Sequence, residues 1–306
     1  MDMGRCYAPA MAEYEIRIVD SFTTERYAGN PCGVVTHAEG LTPEQMQAIA
    51  GELNLSETAF AMPSEAADFR VRFFTPRKEI PLAGHPTIAT MHALVEDGLI
   101  ELGQGARRVT QELNVGVLPV DLSRRDDGRV RIAMTQATPE FRHELDRDVY
   151  ARVLGIGTSD LLDGFPLQVV STGTPQAMIP VASLAVLGQV RPDLQRLAEL
   201  EGEDGYFSTH VFTPEAYDRA NRAHARHFGP SSGVQEDPVT GSATGGMAAY
   251  LWRHGLVREA AYTVEQGHIM GRPGLVEVEV EGEGETPTTV RIAGTAVTVL
   301  RGTITV

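Results

Sequence analysis

Three short polar clusters interrupt otherwise apolar sequence, and each could take part in acid–base chemistry. The first is centred on Glu57, which has Leu55 two positions before it and Ala59 and Phe60 shortly after it. Partial burial among such side chains would raise the pKa of the Glu57 carboxyl group toward that of a useful acid or base. Taken alone, a glutamate at the start of a strand fits a surface ion pair equally well or better.

The second cluster, residues 81–87, contains His85 at the start of a predicted helix. A histidine there lies near the positive end of the helix dipole, which favours the neutral imidazole near pH 7. A neutral imidazole could donate or accept a hydrogen bond or relay a proton. The alternative is that His85 only caps the helix.

The third cluster, residues 235–244, places Asp237 just before Thr240, Gly241 and Ser242. The carboxylate precedes a tight turn whose N–H groups and hydroxyls would face a ligand above the helix start, and Gly241 would allow close approach to the backbone. An ordinary structural helix cap is the alternative. The cluster lacks the lysine of a phosphate-binding P-loop, and no GxGxxG follows a strand, so nucleotide binding is unsupported.

The same search predicts neither a metal nor a cofactor. His224 and His227 lie three residues apart in a predicted strand and should face opposite sides, and no HExxH or clustered cysteine pattern occurs. A pyridoxal phosphate enzyme would need a Schiff-base lysine. Lys78 is the only lysine, and it lies in a predicted exposed turn.

Two predicted helices with matching surroundings position the second and third clusters. Residues 84–87 open one apolar stretch and residues 241–244 open the other. Further similar segments follow the same order along the chain: 70–76 with 224–230, 98–100 with 255–257, and 130–133 with 290–293. Two copies of one module, each with a polar helix start, predict a site between them that can bind an anion.

The remaining elements follow from hydrophobic periodicity and capping residues. Thr42, Pro43 and Gln45 predict the start of a helix that ends near Leu53, with Asn54 closing it. The helix over residues 242–254 is apolar on nearly all sides and should be buried. Strands are predicted over 15–19, 33–35, 56–62, 69–74, 108–111, 116–122, 129–134, 167–170, 177–181 and 205–212, and a further helix over 192–200.

These elements predict an α+β fold of two pseudo-symmetric halves, each a curved, mainly antiparallel sheet around a central helix. We expect a tail over residues 1–12, an N-terminal half over 13–128 completed by the last strand at about 290–306, and a C-terminal half over 129–289. The active site should lie in the cleft between the halves.

Composition excludes several functional classes. The 306 residues carry a formal charge of −15, which disfavours binding to nucleic acid or to an anionic membrane surface. No apolar run reaches the roughly 18 residues of a membrane span, and the N-terminus lacks a signal-peptide pattern. Cys6 and Cys32 form no disulfide framework, so we expect a cytoplasmic protein.

Six motifs in register resemble the phenazine-biosynthesis PhzF family of the diaminopimelate-epimerase-like superfamily. The resemblance extends over nearly all of residues 14–306. The motifs are residues 20–23 with 29–31, 56–60, 74–76, 84–85, 236–243, and 266–267 with 270–273. The chain is identified as a member of that family on this pattern.

The resemblance implies a cofactor-independent isomerase that shifts a proton on a small carboxylate-bearing substrate of the dihydro-hydroxyanthranilate type. Glu57 would be the general acid/base, and His85 and Asp237 would line the same pocket. Ser242 and the backbone N–H groups near Gly84 and Gly241 would hold the substrate carboxylate, and Thr240 would contribute to substrate binding. The family also implies a homodimer.

Two other functions remain open at this point. Racemases of the superfamily use two cysteines at the helix starts, where this chain has Gly84 and Asp237, so an epimerase would have to use carboxylates instead. A non-catalytic small-molecule-binding protein is the third reading. Pro86, Thr244 and Gln176 depart from the family pattern and leave the substrate open.

Overall fold

Residues 12–103 and 105–306 are described by the computed structural model, and their strands belong to one hydrogen-bonded sheet. The predicted tail lies outside the described residues, except for residue 12. In the described part the strands are β1 Glu13–Ser21, β2 Asn30–Val35, β3 Glu57–Met62, β4 Phe69–Phe74, β5 Glu79–Ile80, β6 Arg107–Leu113, β7 Gly116–Arg124, β8 Val130–Thr135, β9 Glu140–Glu144, β10 Gln168–Ser171, β11 Pro175–Pro180, β12 Ser208–Thr213, β13 His224–Gly229, β14 Val234–Asp237, β15 Ala261–Gln266, β16 Gly274–Glu283, β17 Thr286–Gly294 and β18 Ala296–Thr305.

Six α-helices occur in the same described residues. They are α1 Pro43–Leu53, α2 Gly84–Glu96, α3 Arg147–Val153, α4 Leu184–Gln189, α5 Leu194–Glu203 and α6 Gly241–Arg253. Three 3-10 helices occupy Thr158–Asp160, Pro230–Ser232 and His268–Met270.

The strand order divides the sheet into two similar halves. One half runs β18-β1-β2-β3-β4-β6-β7-β8, with β5 on the edge of β4. The other runs β9-β10-β11-β12-β13-β15-β16-β17, with β14 on the edge of β13. Parallel pairs occur at corresponding places, β2/β3 with β11/β12 and β4/β6 with β13/β15, and the other pairs are antiparallel.

Each half surrounds one long helix. Helix α2 packs against β1, β2, β3 and β18, and α6 packs against β10, β11, β16 and β17. Met91 and Leu94 of α2 and Met247 and Leu251 of α6 are fully buried in one continuous apolar core. The predicted α+β architecture of curved sheets around central helices is therefore confirmed, as is the prediction that α6 is buried.

The halves meet along a pair of antiparallel strands in the middle of the sheet. Ala133 of β8 lies opposite Ala293 of β17, so the ends of the similar segments 130–133 and 290–293 meet where these two strands pair. The last strand, β18, pairs with β1, at the far edge of the N-terminal half. Because the sheet continues from β8 into β17, the domain boundaries stay a prediction.

Local signals set several element ends as predicted. Thr42 and Gln45 form the capping box of α1, and Asn54 closes that helix in the left-handed conformation with φ of 50°. The left-handed turn at Asn54 directs the chain straight into β3, so the cap of α1 determines where Glu57 emerges. None of the described helices is both long and apolar enough to cross a membrane.

Candidate active site

Glu57, His85 and Asp237 come from three elements whose ends converge. Glu57 is the first residue of β3, His85 is the second residue of α2, and Asp237 is the last residue of β14. Glu57 lies beside Cys32 because β3 runs parallel to β2. The convergence places two groups from the N-terminal half against one from the C-terminal half.

Glu57 and His85 are in direct contact. Glu57 Oε2 lies 3.2 Å from His85 Nε2, and the two side chains are 18% and 6% exposed. Among the described ion pairs Glu57 has no arginine or lysine partner, so the surface-ion-pair alternative does not describe this residue. The neighbour of this carboxyl group is thus an imidazole at close range and not a permanent cation.

Asn30, the first residue of β2, connects this pair to Asp237. Its Nδ2 donates to Asp237 Oδ1 at 2.8 Å and to the Val239 carbonyl at 2.9 Å, and it lies 3.1 Å from His85 Nδ1. The side chain is fully buried. Asn30 therefore fixes the position of the Asp237 carboxylate, from the C-terminal half, relative to the His85 imidazole, from the N-terminal half.

Asp237 is held from its own half as well. Thr240 Oγ1 donates to Asp237 Oδ2, and Gln266 Nε2 donates to the Asp237 carbonyl at 2.8 Å. The Thr240 N–H donates to Gln266 Oε1 at 3.1 Å. These bonds order the turn that leads into α6, so the predicted partnership of Asp237 with the helix start has a structural basis.

Burial determines the protonation states of the two carboxyl groups in the cluster. Desolvation, reinforced by the nearby Asp237 charge, raises the pKa of Glu57 to about 8. Desolvation also raises the pKa of Asp237 to about 6, opposed by hydrogen bonds from Thr240 and Asn30. Burial therefore favours the protonated form of both carboxyl groups, and the charge on Asp237 disfavours a second negative charge on Glu57.

His85 is neutral at the same pH, as predicted, but chiefly for another reason. Burial lowers the pKa of its imidazole to about 3. The sequence-based expectation attributed neutrality to the helix dipole, whereas loss of solvent is the dominant cause. A neutral imidazole can donate or accept a hydrogen bond beside Glu57 without placing a second charge in this buried setting.

The starts of α2 and α6 face each other across the cluster. A Cβ on Gly84 would lie 3.6 Å from Ser242 N and 3.7 Å from Gly241 Cα. Neither helix has a side-chain hydrogen bond capping its first turn. Each N-terminus carries a partial positive charge of about half a unit, so two opposed N-termini repel unless an anion lies between or beside them.

Gly241 has a packing role that the sequence did not reveal. A Cβ at this position would lie 2.5 Å from Ile292 Cδ1 and 3.1 Å from Phe22 Cζ. The space on that side of the backbone is filled by the protein's own core. The glycine is therefore required by the approach of β17, whatever a ligand does on the opposite side.

Ser242 and Gln176 form the polar contact on the C-terminal side of the cluster. Gln176 Nε2 donates to Ser242 Oγ at 3.2 Å. Gln176 is buried on β11, and its Oε1 has no hydrogen-bond partner among the described residues. Gln176, one of the residues that depart from the family pattern, thus contacts Ser242, a predicted substrate-binding residue.

Asn30, Gln266 and Arg272 are structural contributors that were not among the predicted site residues. Arg272 donates to Asp20 Oδ1 at 2.7 Å and to the Gly29 carbonyl at 2.9 Å, which anchors the turn before Asn30. All three belong to quoted motifs, residues 29–31, 266–267 and 270–273. Membership in these family motifs was the only sequence feature that pointed to the three residues, since their local spacing does not indicate their hydrogen-bond partners.

A surface cavity and a buried cysteine in the described part of the chain lie apart from the predicted site residues. A surface cavity of about 660 Å³ next to α2 and β18 is lined by none of the predicted site residues. Cys32, the only cysteine among the described residues, is fully buried, and burial raises the pKa of its thiol. Of the predicted residues, Glu57, His85, Gly84, Asp237, Thr240, Gly241 and Ser242 all lie in the one cluster.

Comparison with known proteins identifies the family of this chain. A family model for phenazine biosynthesis-like proteins, PhzC-PhzF, matches residues 19–302. An uncharacterized isomerase of Clostridium acetobutylicum is 40% identical over 94% of this chain and 97% of its own length. The trans-2,3-dihydro-3-hydroxyanthranilate isomerase of Pseudomonas chlororaphis is 35% identical over 94% and 98%.

A solved structure extends the agreement to three dimensions. The crystal structure of a PhzF-family phenazine biosynthesis protein from Bacillus anthracis superposes with a TM-score of 0.88 at 35% identity, covering 96% of this chain and 99% of the other. Family model, sequence relatives and structure coincide over almost the whole chain. The protein belongs to the PhzF family and is an isomerase of that family.

Proposed function

We propose that the protein moves a proton between two positions of a small, carboxylate-bearing, amino-acid-like substrate without a cofactor, with Glu57 as general acid/base. The observation that carries the proposal is the contact of Glu57 with neutral His85 in a largely buried setting, beside the two opposed helix starts. Such a setting raises the proton affinity of a carboxyl group and supplies an anion-binding site within reach.

Substrate anchoring follows from the charges. The N–H groups at the starts of α2 and α6, with Ser242, would bind the substrate carboxylate and relieve the repulsion of the two helix dipoles. Asp237 accepts hydrogen bonds from Asn30 and Thr240, which stabilise its carboxylate against the effect of burial. Its negative charge would attract the ammonium group of an amino-acid-like substrate.

The proton step is assigned to Glu57 because its buried carboxyl group contacts His85 and burial raises its pKa to about 8, which is within reach of neutral pH. The ionised carboxylate would remove a proton from one carbon, and the resulting acid would return it to another carbon of the same substrate. His85 would hold Oε2 in place and take part in hydrogen bonding to the moving proton. Dihydro-hydroxyanthranilate is the first substrate to test because the P. chlororaphis relative is named for its trans-2,3-dihydro-3-hydroxy form.

The test follows the proton in heavy water. The protein is incubated with trans-2,3-dihydro-3-hydroxyanthranilate in D₂O, and isomerisation and deuterium incorporation are followed by NMR. We expect deuterium at the newly protonated carbon to the extent that the proton held by Glu57 exchanges with solvent before it is returned to the substrate. We expect Glu57→Gln to lose at least a thousandfold in kcat while it still binds the substrate.

Glu52→Gln serves as the matched control, because Glu52 is an exposed carboxylate at the end of α1. Full activity of Glu57→Gln would refute the assigned role. No reaction by the folded protein would contradict this substrate and direct the search to other small amino acids. Deuterium exchange at a stereocentre without isomerisation would instead support the carboxylate-based epimerase, and binding without any exchange would support a binding protein.

A further inference from the structure

A second group of chemically active side chains lies outside the active-site cluster. His224 begins β13, and it lies opposite Glu265 of β15 because the two strands pair in parallel register. His268 follows in the 3-10 helix after β15. The three residues are spread over 44 positions of sequence but share one corner of the C-terminal half.

The ligand atoms of these residues converge. His224 Nε2 lies 3.2 Å from His268 Nδ1, and one carboxylate oxygen of Glu265 lies within 4.8 Å of both. Nitrogen ligands about 2.0–2.1 Å from a tetrahedral metal lie roughly 3.3 Å apart. The observed spacing of the two imidazole nitrogens matches that of two ligands on one ion.

The site is built and largely enclosed. His224 and Glu265 are fully buried, and the ring of Tyr217 covers both imidazoles with centroid distances of 5.1 and 4.9 Å. His224 Nδ1 is buried with no hydrogen-bond partner among the described residues. His224 Nε2 and His268 Nδ1 share one hydrogen bond, and a metal ion that bound both nitrogens would displace the proton between them.

Glu265 lacks a cation. Its carboxylate accepts hydrogen bonds from the N–H groups of Tyr217 and Asp218 and from Asn221 Nδ2, at 2.8, 2.9 and 2.8 Å. No arginine or lysine forms an ion pair with it among the described residues. Those three bonds leave part of its acceptor capacity free, and a buried carboxylate gains most from a nearby positive ion.

We propose that His224, His268 and Glu265 bind one divalent transition-metal ion such as Zn²⁺. His224 Nε2 and His268 Nδ1 would supply nitrogen ligands and Glu265 one oxygen, and water would occupy the fourth position. Two imidazoles and a carboxylate suit zinc, cobalt, nickel or copper better than magnesium or calcium, which prefer all-oxygen sites. Each imidazole then carries its proton on the nitrogen that faces away from the metal.

The local spacing of His224 and His227 predicted no metal site, and these two histidines do have different neighbours. His227 Nδ1 lies 3.2 Å from His210 Nδ1, on the other side of β13. The partners of His224 come from β15 and the turn after it. A bound metal would hold Glu265, which accepts hydrogen bonds from the 217–221 loop, in a fixed position at the end of β15. Gln266, the residue after Glu265, donates to the Asp237 carbonyl.

The experiment measures metal binding directly. Full-length protein is treated with a chelator, dialysed, and titrated with ZnCl₂ by calorimetry and with CoCl₂ by visible absorption. We expect one Zn²⁺ per chain, a cobalt spectrum characteristic of four-coordination, and a melting temperature that rises with zinc concentration. His268→Gln should weaken zinc binding at least tenfold, and the control His143→Gln, an exposed histidine on β9, should not change it.

His268 is only half buried, so His268→Gln should fold, and circular dichroism checks this. His224→Gln provides a second variant at a buried ligand and should also weaken binding at least tenfold. The proposal is overturned if folded protein binds no zinc at about 1 mM, or if His268→Gln binds as tightly as the unmodified chain. Equal loss in His143→Gln would likewise overturn it, because surface histidines would then account for the binding.

Discussion

Replacing Glu57 by glutamine tests the burial of its carboxyl group independently of any substrate. The pKa of Glu57 rises from its ordinary value of 4.5 to about 8 in the folded protein, so the folded state binds the proton more tightly than the unfolded chain. The contribution of Glu57 to stability is therefore greatest below pH 4.5, declines as the pH rises, and levels off above about pH 8. Each tenfold in proton affinity is worth about 1.4 kcal/mol.

The size of the effect follows from these values. Relative to the unmodified chain, Glu57→Gln should be similar in stability near pH 4, more stable by about 3 kcal/mol at pH 7, and more stable by about 5 kcal/mol at pH 9. Glutamine has nearly the same shape but no charge to desolvate. These figures are upper limits, because 18% of the side chain retains contact with solvent.

The assay is urea denaturation followed by circular dichroism at several pH values between 4 and 9. The difference between the two proteins isolates Glu57 from the other groups that titrate over this range. Glu52→Gln, at an exposed carboxylate, should leave the pH dependence unchanged. Parallel curves for the unmodified chain and Glu57→Gln would refute the reasoning, since the carboxyl group would then be solvated in the folded state.

Four further outcomes are expected. The kcat/KM for the isomerised substrate should rise about tenfold per pH unit between about pH 6 and pH 8 and then level off, because the base form of Glu57 removes the proton; a flat pH–rate profile would exclude it as the base. Asn30→Ala should cost about 2–3 kcal/mol of stability and raise the pKa of Asp237, visible as a shift of the Asp237 titration by NMR, because two buried acceptors lose their donor. Gly241→Ala should destabilise by about 1–3 kcal/mol through its contact with Ile292 Cδ1, and the double variant with Ile292→Val, which lacks that atom, should recover part of the loss in urea denaturation. Sedimentation should show a homodimer at micromolar concentration, and a monomer there would contradict the expectation drawn from the family.

The sequence alone was sufficient for features that depend on neighbours within a few positions. The cap of α1, with Thr42, Gln45 and Asn54, is a local hydrogen-bonding pattern and was predicted residue by residue. The burial of α6 follows from side chains that are apolar on every face. Glu57, His85 and Asp237 stood out because each is a titratable group within an apolar segment, and that contrast is visible without a structure.

The tertiary structure decided which of these groups meet and what their protonation states are. Asn30 donates to Asp237 across 207 positions of sequence, and no local pattern indicates that bond. His85 is neutral chiefly because packing removes water from it, a cause that spacing along a helix cannot reveal. Likewise, His224, Glu265 and His268 form a cluster only because β13 pairs with β15. Local backbone preferences are encoded in short segments, whereas hydrogen-bond partners and pKa values depend on which distant segments exclude water together.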